Sequence, residues 1–278
     1  MAHNKMKSNN PKPYKPSKSM LNLLKTRNLN ESTNSSYLHY YGEFLKFINK
    51  SPKDIDSTDI QAYLNHLRKN KCAYSTFNIN LNALKVFHEK LFSDPLLQNI
   101  KRPKIKNLNL DVLSHEEIIH IIEHIDNIKH KAIFAIIYYC GLKSSEVVRL
   151  KFNHIDFKKK KIKIPPVSES KKIRLIDMND DIFPILQEYV KAYGKKEWLF
   201  PGKPSTKPYS VRSLQRLFTE TGIRFGIEKI LTPITVRRSR AIELQKKGFD
   251  WTFIKDFLGH EGKDTTRRFY RELSRTSE

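Results

Sequence analysis

One stretch of the chain, residues 93–112, limits the fold more than any other, because it separates two regions with helical periodicity. It holds two prolines and several lysines, and its apolar residues follow neither a helical nor a strand period. On either side of it, apolar residues recur at intervals of three and four, as they do in helices that bury one face. The sequence therefore predicts two domains joined by a linker.

We predict four segments along the chain. Residues 1–30 form a flexible basic arm, residues 31–95 a helical domain, residues 96–112 the linker and residues 113–278 a second domain. Three short β-like runs interrupt the helical pattern of the second domain. The expected fold class is thus mainly α with a small antiparallel β hairpin sheet.

The charge of the chain narrows the choice of partner. The 278 residues include 52 Lys and Arg against 29 Asp and Glu, which gives a net charge of +23. Such an excess favours nucleic acid, because each phosphate that is neutralised releases a condensed counterion. A solvated basic surface without a partner is the alternative. No apolar run reaches the ~18 residues of a membrane span, and the start of the chain lacks the apolar segment of a secretory signal. We therefore expect a cytoplasmic protein that does not enter a membrane.

The sequence lacks the common motifs of metal- and nucleotide-dependent chemistry. It contains no CxxC, HExxH or EF-hand pattern, and no glycine-rich loop of the GxxxxGK[ST] or GxGxxG type. Its two cysteines, Cys72 and Cys140, lie far apart, which is typical of reduced thiols. We therefore expect no cofactor, no metal ion and no small-molecule substrate.

Four stretches of the second domain point to a function. In chain order they read YYCGLKSSEVVRLKFNHIDF, SESKKIRLIDM, LTPITVRRSRA and LGHEGKDTTRRFY. Their order and spacing resemble the tyrosine recombinase (phage integrase) family. The segment from ESTNSSYLHYYGEFLKFINK through FHEKLF resembles the N-terminal core-binding domain of that family. The resemblance covers roughly Ser32 to Tyr270, and it implies a helical core-binding domain followed by a catalytic domain.

The resemblance also implies a reaction that uses no metal ion. In the family, a tyrosine hydroxyl attacks a DNA phosphodiester, forms a 3′-phosphotyrosine and releases a 5′-hydroxyl. Guanidinium groups stabilise the charge on the phosphoryl oxygens, and a general acid protonates the leaving oxygen. The family pattern consists of two arginines, a hairpin lysine, two His or His/Trp positions and the tyrosine.

Two residues match this pattern directly. Arg237, in PITVRR, stands at the second family arginine, and His260, in LGH, stands at the late His/Trp position. The resemblance implies that both act on the scissile phosphate. Arg238 and Arg240 belong to the same helical turn, and we predict that they bind DNA, with solvated helix arginines as the alternative. Arg174, in the predicted hairpin, is interpreted as an ordinary strand residue and as a control for Arg237.

Other positions depart from the family pattern. Lys143 stands at the first family arginine, where it keeps the charge and loses the bidentate fork. Glu169 falls at the hairpin lysine, so Lys171 is the candidate for that role, and Lys172 beside it is a candidate DNA-binding residue. Ile234 replaces a histidine and cannot transfer a proton. The predicted catalytic set is therefore degraded.

Tyr270 is the candidate nucleophile. The family form TTxxY places its tyrosine where this chain has Phe269, one residue earlier. One extra residue in the preceding loop would bring Tyr270 into register. A structural tyrosine is the alternative, because successive helical residues point about 100° apart.

We thus expect a site-specific DNA-binding protein of a mobile element or plasmid, which cleaves and rejoins, or nicks, double-stranded DNA through a tyrosine. Integration, recombination and the conjugative nicking of a plasmid by a relaxase all fit this expectation, and self-association on DNA is part of it. The alternative is a catalytically degenerate protein of the same fold that only binds specific DNA sites.

Overall fold

The computed structural model describes residues 16–27, 29, 31–91, 100, 112–166 and 173–260. Within these residues the chain is mainly helical and has one three-stranded antiparallel sheet, so the predicted fold class is confirmed. The chain divides into two compact units, Met1–Asn107 and Leu108–Glu278. None of the helices in the described part of the chain is long and apolar enough to cross a membrane.

The first unit is a bundle of four described helices with an aromatic core. The fully buried Tyr41 and Phe44 lie at its centre, and the Tyr41 hydroxyl is hydrogen-bonded to His88. Asp56 caps the third helix with a reciprocal capping box. The helices are α1 (Lys18–Thr26), α2 (Glu31–Ile48), α3 (Ser57–Lys69) and α4 (Tyr74–Leu91).

Helix α1 corrects the prediction of a flexible arm through residue 30. The Ser17 hydroxyl accepts a hydrogen bond from the Met20 amide at 3.3 Å and so caps the helix. Met20 and Leu24, four residues apart, are both buried against the aromatic core. The burial of these two side chains therefore holds residues 18–26 in the first unit. Residues 1–15 of the predicted arm lie outside the described residues.

The second unit surrounds one apolar helix with shorter elements. All nine residues from Ala132 to Cys140 are buried, because this stretch is apolar nearly all round. Side-chain caps begin several of its helices, including the capping box of Ser114 and the Thr232–Pro233 start of α10. The helices are α5 (His115–Glu123), α6 (Ile128–Cys140), α7 (Ser144–Val147), α8 (Ile182–Tyr193), α9 (Val211–Arg224), α10 (Pro233–Lys246) and α11 (Trp251–Leu258).

The sheet packs one apolar face against the core of the second unit. Its strands β1 (Ile155–Asp156), β2 (Lys161–Ile164) and β3 (Arg174–Asp177) run in the order β1-β2-β3, each antiparallel to its neighbour. Ile162 pairs with Ile176, and Ile164 pairs with Arg174, the first residue of β3. The predicted hairpin is thereby confirmed, and its register places Arg174 at the end of the sheet next to the turn.

Two glycine turns bring the ends of α6 and α11 together. Gly141 and Gly259 have φ angles of 58° and 62°, in the left-handed region that favours glycine. A Cβ atom at Gly141 would lie 2.7 Å from Phe257 Cε1 and 2.8 Å from Leu258 Cδ2, which is closer than van der Waals contact. Glycine is therefore required at Gly141 both for the turn and for the approach of α11.

Candidate active site

Charged and titratable side chains from four elements converge where α6 and α11 end. We call this group the basic cluster; its members are Lys143, Glu146, Arg174, Arg237 and His260. They come from the start of α7, the start of β3, the first half of α10 and the turn after α11. Arg237 and Glu146 are both buried, so the cluster reaches into the unit rather than lying on its surface.

Arg237 forms the base of the cluster. Its guanidinium donates through Nη2 to the carbonyl oxygen of Leu258 at 2.7 Å, and through Nη1 to the carbonyl oxygen of Gly141. Its side chain is only 8 % exposed. Burial lowers the pKa of Arg237 to about 10, although the Glu146 carboxylate acts in the opposite direction. Arg237 therefore keeps its positive charge at neutral pH and has a fixed position.

Glu146 is the carboxylate that holds the cluster together. Its Oε2 accepts hydrogen bonds from the Lys143 backbone amide at 2.8 Å and from Arg174 Nη2 at 3.0 Å. The same oxygen lies 3.9 Å from Arg237 Nη1. A buried carboxylate is tolerated only with such cationic partners. Glu146 was not predicted as a site residue, although its place three residues after the cap of α7 is a capping-box signal.

Lys143 and Arg174 reach the same glycine turn. The Lys143 ammonium donates to the carbonyl oxygen of Gly259 at 3.0 Å. Arg174 lies against the Cα atom of that residue, because a Cβ atom at Gly259 would overlap Arg174 Nη1. The use of Arg174 as a control for Arg237 was therefore wrong, since both arginines belong to one cluster. No local sequence signal reveals this, because the Arg174–Glu146 contact joins residues 28 positions apart.

His260 follows directly after the turn, half-buried beside the cations. Burial is the largest cause of its pKa of about 4, and the charges of Arg237, Lys143 and Arg174 lower it further. The imidazole is therefore neutral at pH 7 and can donate or accept a hydrogen bond. A phosphate anion placed among the same cations would raise the pKa of His260.

The remaining candidates of α10 lie beside the cluster. Ile234 is 58 % exposed and stands three residues before Arg237, so an apolar side chain occupies the position of the family histidine. The Arg240 guanidinium lies 5.4 Å from the ring centre of Tyr138 on α6, a cation–π contact. Arg238 is half-buried. The DNA-binding roles of Arg238 and Arg240 remain predictions.

Four residues of the sequence prediction cannot be placed in the site. In the sequence, Glu169, Lys171 and Lys172 stand between β2 and β3, and Tyr270 stands after α11. All four lie outside the described residues. Their roles and the register of Tyr270 therefore remain predictions.

The basic cluster is suited to hold one phosphate group. Lys143, Arg174 and Arg237 contribute three positive charges, and Glu146 contributes one negative charge within the same partly buried volume. Cations that are fixed in advance and shielded from water stabilise charge on a phosphoryl group more strongly than mobile ones do in water. The neutral imidazole of His260 adds a hydrogen-bonding group without adding charge.

Comparisons with known proteins cover both units. The model of the phage integrase family matches residues 111–276, and that of the phage integrase N-terminal SAM-like domain matches residues 18–98. A tyrosine recombinase of Thermosipho africanus is 27% identical over 264 residues, which are 88% of this chain and 90% of that relative.

Two solved structures share the fold. The Tn1549 transposon integrase, in complex with transposon right end DNA, has a TM-score of 0.73 and 17% identity, over 90% of this chain and 93% of that chain. A lambda integrase dimer bound to a COC′ core site has a TM-score of 0.73 and 16% identity, over 90% of this chain and 94% of that chain. The likeness to both structures extends over nearly the whole chain.

Proposed function

The chain belongs to the phage integrase family, and on this premise we propose that it is a site-specific tyrosine recombinase that cleaves and rejoins double-stranded DNA through Tyr270. The basic cluster is the observation that carries the proposal. It gathers Lys143, Arg174 and Arg237, and these three cations supply the positive charge that a scissile phosphate requires. The neutral imidazole of His260 lies beside them.

The proposed reaction is a transesterification. The Tyr270 hydroxyl releases its proton to water as its oxygen forms a bond to phosphorus. The bond between phosphorus and the 5′ oxygen breaks, and that oxygen takes up a proton from water. Arg237 and Lys143 stabilise the negative charge on the non-bridging oxygens. His260, neutral at pH 7, hydrogen-bonds to one of those oxygens. Rejoining is the reverse reaction with another 5′ hydroxyl, so no external energy source is needed.

The rest of the chain serves DNA binding in this proposal. Residues 31–95 form the core-binding domain, residues 96–112 the linker and residues 113–278 the catalytic domain. Arg238, Arg240, Lys171 and Lys172 contact the DNA backbone. The protein acts in the cytoplasm on DNA of a mobile element and associates with itself there, as the lambda integrase does in its dimer on a core site.

Relaxase activity on a conjugative plasmid finds no support in these relatives, which are named recombinases or integrases. Site-specific binding without cleavage remains the second candidate function. It is favoured by one observation: Ile234, 58 % exposed beside Arg237, cannot transfer a proton.

Covalent attachment to DNA distinguishes the two candidates. Nicked suicide duplexes, tiled across the DNA that flanks the gene, are incubated with the protein and resolved under denaturing conditions. The parent should form a protein–DNA adduct, and Tyr270→Phe should form none while binding within about threefold of the parent, since one hydroxyl hydrogen bond contributes only ~0.5–1.5 kcal/mol.

The exchange variant Phe269→Tyr with Tyr270→Phe tests the register of the nucleophile. It should form no adduct if Tyr270 attacks, and an adduct from this variant would move the nucleophile to position 269. A parent that binds one of the duplexes and forms no adduct with any of them would favour the binding-only function.

A further inference from the structure

We propose that Arg174 supplies the second guanidinium that binds the scissile phosphate, in place of the arginine that this chain lacks at Lys143. The inference rests on the proposed function and assigns a role to a residue that the family pattern does not include. The basic cluster then contains two arginine forks, one from α10 and one from β3, and its catalytic set is rearranged rather than degraded.

The first support is the convergence of Lys143 and Arg174 on one turn. Lys143 donates to the Gly259 carbonyl at 3.0 Å, and Arg174 lies against the Gly259 Cα atom. The guanidinium of β3 thus reaches the turn that the Lys143 ammonium also reaches. A lysine is a point charge, whereas a guanidinium can bind two phosphoryl oxygens at once.

The second support is the coupling of Arg174 to Arg237. One oxygen of Glu146 lies 3.0 Å from Arg174 Nη2 and 3.9 Å from Arg237 Nη1. The carboxylate therefore fixes both guanidinium groups about a single atom. With side chains 15 % and 8 % exposed, neither arginine is a mobile surface charge. Two forks fixed in this way are preorganised for one anion.

The third support is an unused donor of Arg174. Its Nε atom is buried and has no hydrogen-bond partner within the described part of the chain. A buried donor without a partner is costly, and a purely structural partner of Glu146 would not need it. A phosphate diester would supply the acceptor.

The test compares Arg174→Lys with Arg224→Lys. Arg224 is a matched control, because it is an arginine paired with a carboxylate, that of Asp126 at 2.6 Å, with a side chain 59 % exposed on α9. Both variants and the parent are assayed on a nicked duplex that the parent cleaves. The measurements are the single-turnover rate of adduct formation at saturating protein, the Kd and the melting temperature.

Arg174→Lys should form the adduct about 10²–10³ times more slowly than the parent, as is typical when one preorganised donor to a developing charge is lost. Its Kd should stay within about tenfold, because it keeps the charge. Arg224→Lys should change neither value beyond about threefold. If Arg174→Lys melts below the assay temperature, Arg174→Gln replaces it, since the amide can still donate to Glu146.

A second duplex with a methylphosphonate at the scissile position isolates the phosphate contact. The methylphosphonate linkage carries no negative charge, so a guanidinium has less negative charge to stabilise in the transition state. On this duplex the Arg174 variant should form the adduct no more than about tenfold more slowly than the parent. A variant that matches the parent on the ordinary duplex would overturn the inference. So would an equal deficit on both duplexes, which would make Arg174 a structural partner of Glu146. A parent without any adduct would instead refute the proposed function.

Discussion

Replacing Glu146 with glutamine should destabilise the second unit and yet increase the affinity of the protein for DNA. The substitution keeps the size of the side chain and one acceptor for the Lys143 amide, and it removes the only negative charge among the described members of the basic cluster. Lys143, Arg174 and Arg237 then remain together without the Glu146 carboxylate. Their repulsion opposes folding, whereas a bound phosphate relieves it.

The magnitude follows from burial. Breaking a buried ion pair by removing one partner costs about 3–5 kcal/mol, and we expect about 3 kcal/mol here because the retained amide still accepts hydrogen bonds. For a unit of this size, that loss lowers the melting temperature by about 6–12 °C. Glu197→Gln is the matched control. Its Oε1 lies 2.9 Å from Lys151 Nζ, but with side chains 60 % and 40 % exposed the pair should contribute at most about 1 kcal/mol.

Calorimetric melting with and without a duplex that the parent binds tests the effect on stability and the effect on DNA binding. Without DNA, Glu146→Gln should have a lower melting temperature than the parent. Added DNA should raise the melting temperature of Glu146→Gln more than that of the parent. Mobility-shift titration below the melting temperature should give an equal or lower Kd. Either of two results would refute this role of Glu146: a melting temperature equal to that of Glu197→Gln, or weaker DNA binding by the folded variant than by the parent.

Four further outcomes follow from the structure. Gly259→Ala, which combines a positive φ with an overlap on Arg174, should lower the free energy of unfolding by at least about 2 kcal/mol in urea titrations, whereas Gly226→Ala, with φ of 61° and open space, should cost about 1 kcal/mol. The pKa of His260 is about 4 in the folded protein, below the unfolded value of about 6.5. Its contribution to stability is therefore complete above pH 6.5 and is lost as the pH falls towards 4. Urea midpoints should be lower at pH 5 than at pH 7.5, and His260→Gln should reduce this difference. Ile234→His, which introduces an imidazole beside Arg237, should accelerate adduct formation at least about tenfold in the suicide-duplex assay, and an unchanged rate would contradict a missing proton donor. Affinity for DNA in mobility shifts should fall by about 10³–10⁵ between 50 and 200 mM salt if six to ten phosphates are contacted, and a flat response would contradict binding through the charge of +23.

Features set by neighbouring residues could be predicted from the sequence, and those set by distant contacts could not. The capping box of Ser114 and the proline start of α10 depend on side chains within one helical turn, so a local pattern reveals them. The short α1 was missed because it is only nine residues long and follows a stretch rich in lysine and proline. Its helix depends on the burial of Met20 and Leu24 against other helices.

The residues of the site also divide into those that a local motif reveals and those that only the fold brings together. Arg237 and His260 could be named from motifs, because the resemblance fixes their positions in the chain. Glu146 and Arg174 could not, since their roles arise only when β3 folds back beside α7. The sequence indicated a degraded catalytic set because Lys143 was compared with the family arginine at that position alone. The charge of a site depends on all the residues that the fold brings together there, including those distant in the sequence.

The two carbonyl oxygens that hold Arg237 are the last acceptors of two helices. Gly141 caps α6 and Leu258 ends α11, and the aligned peptide dipoles make both ends partially negative. The Arg237 guanidinium between them links α11 to α6 through these two carbonyl oxygens. Because the guanidinium is buried, dissolved ions screen this interaction only weakly. Salt concentrations that release DNA should therefore leave α11 docked and the basic cluster assembled. The protein can then dissociate from one DNA site and bind the next without refolding.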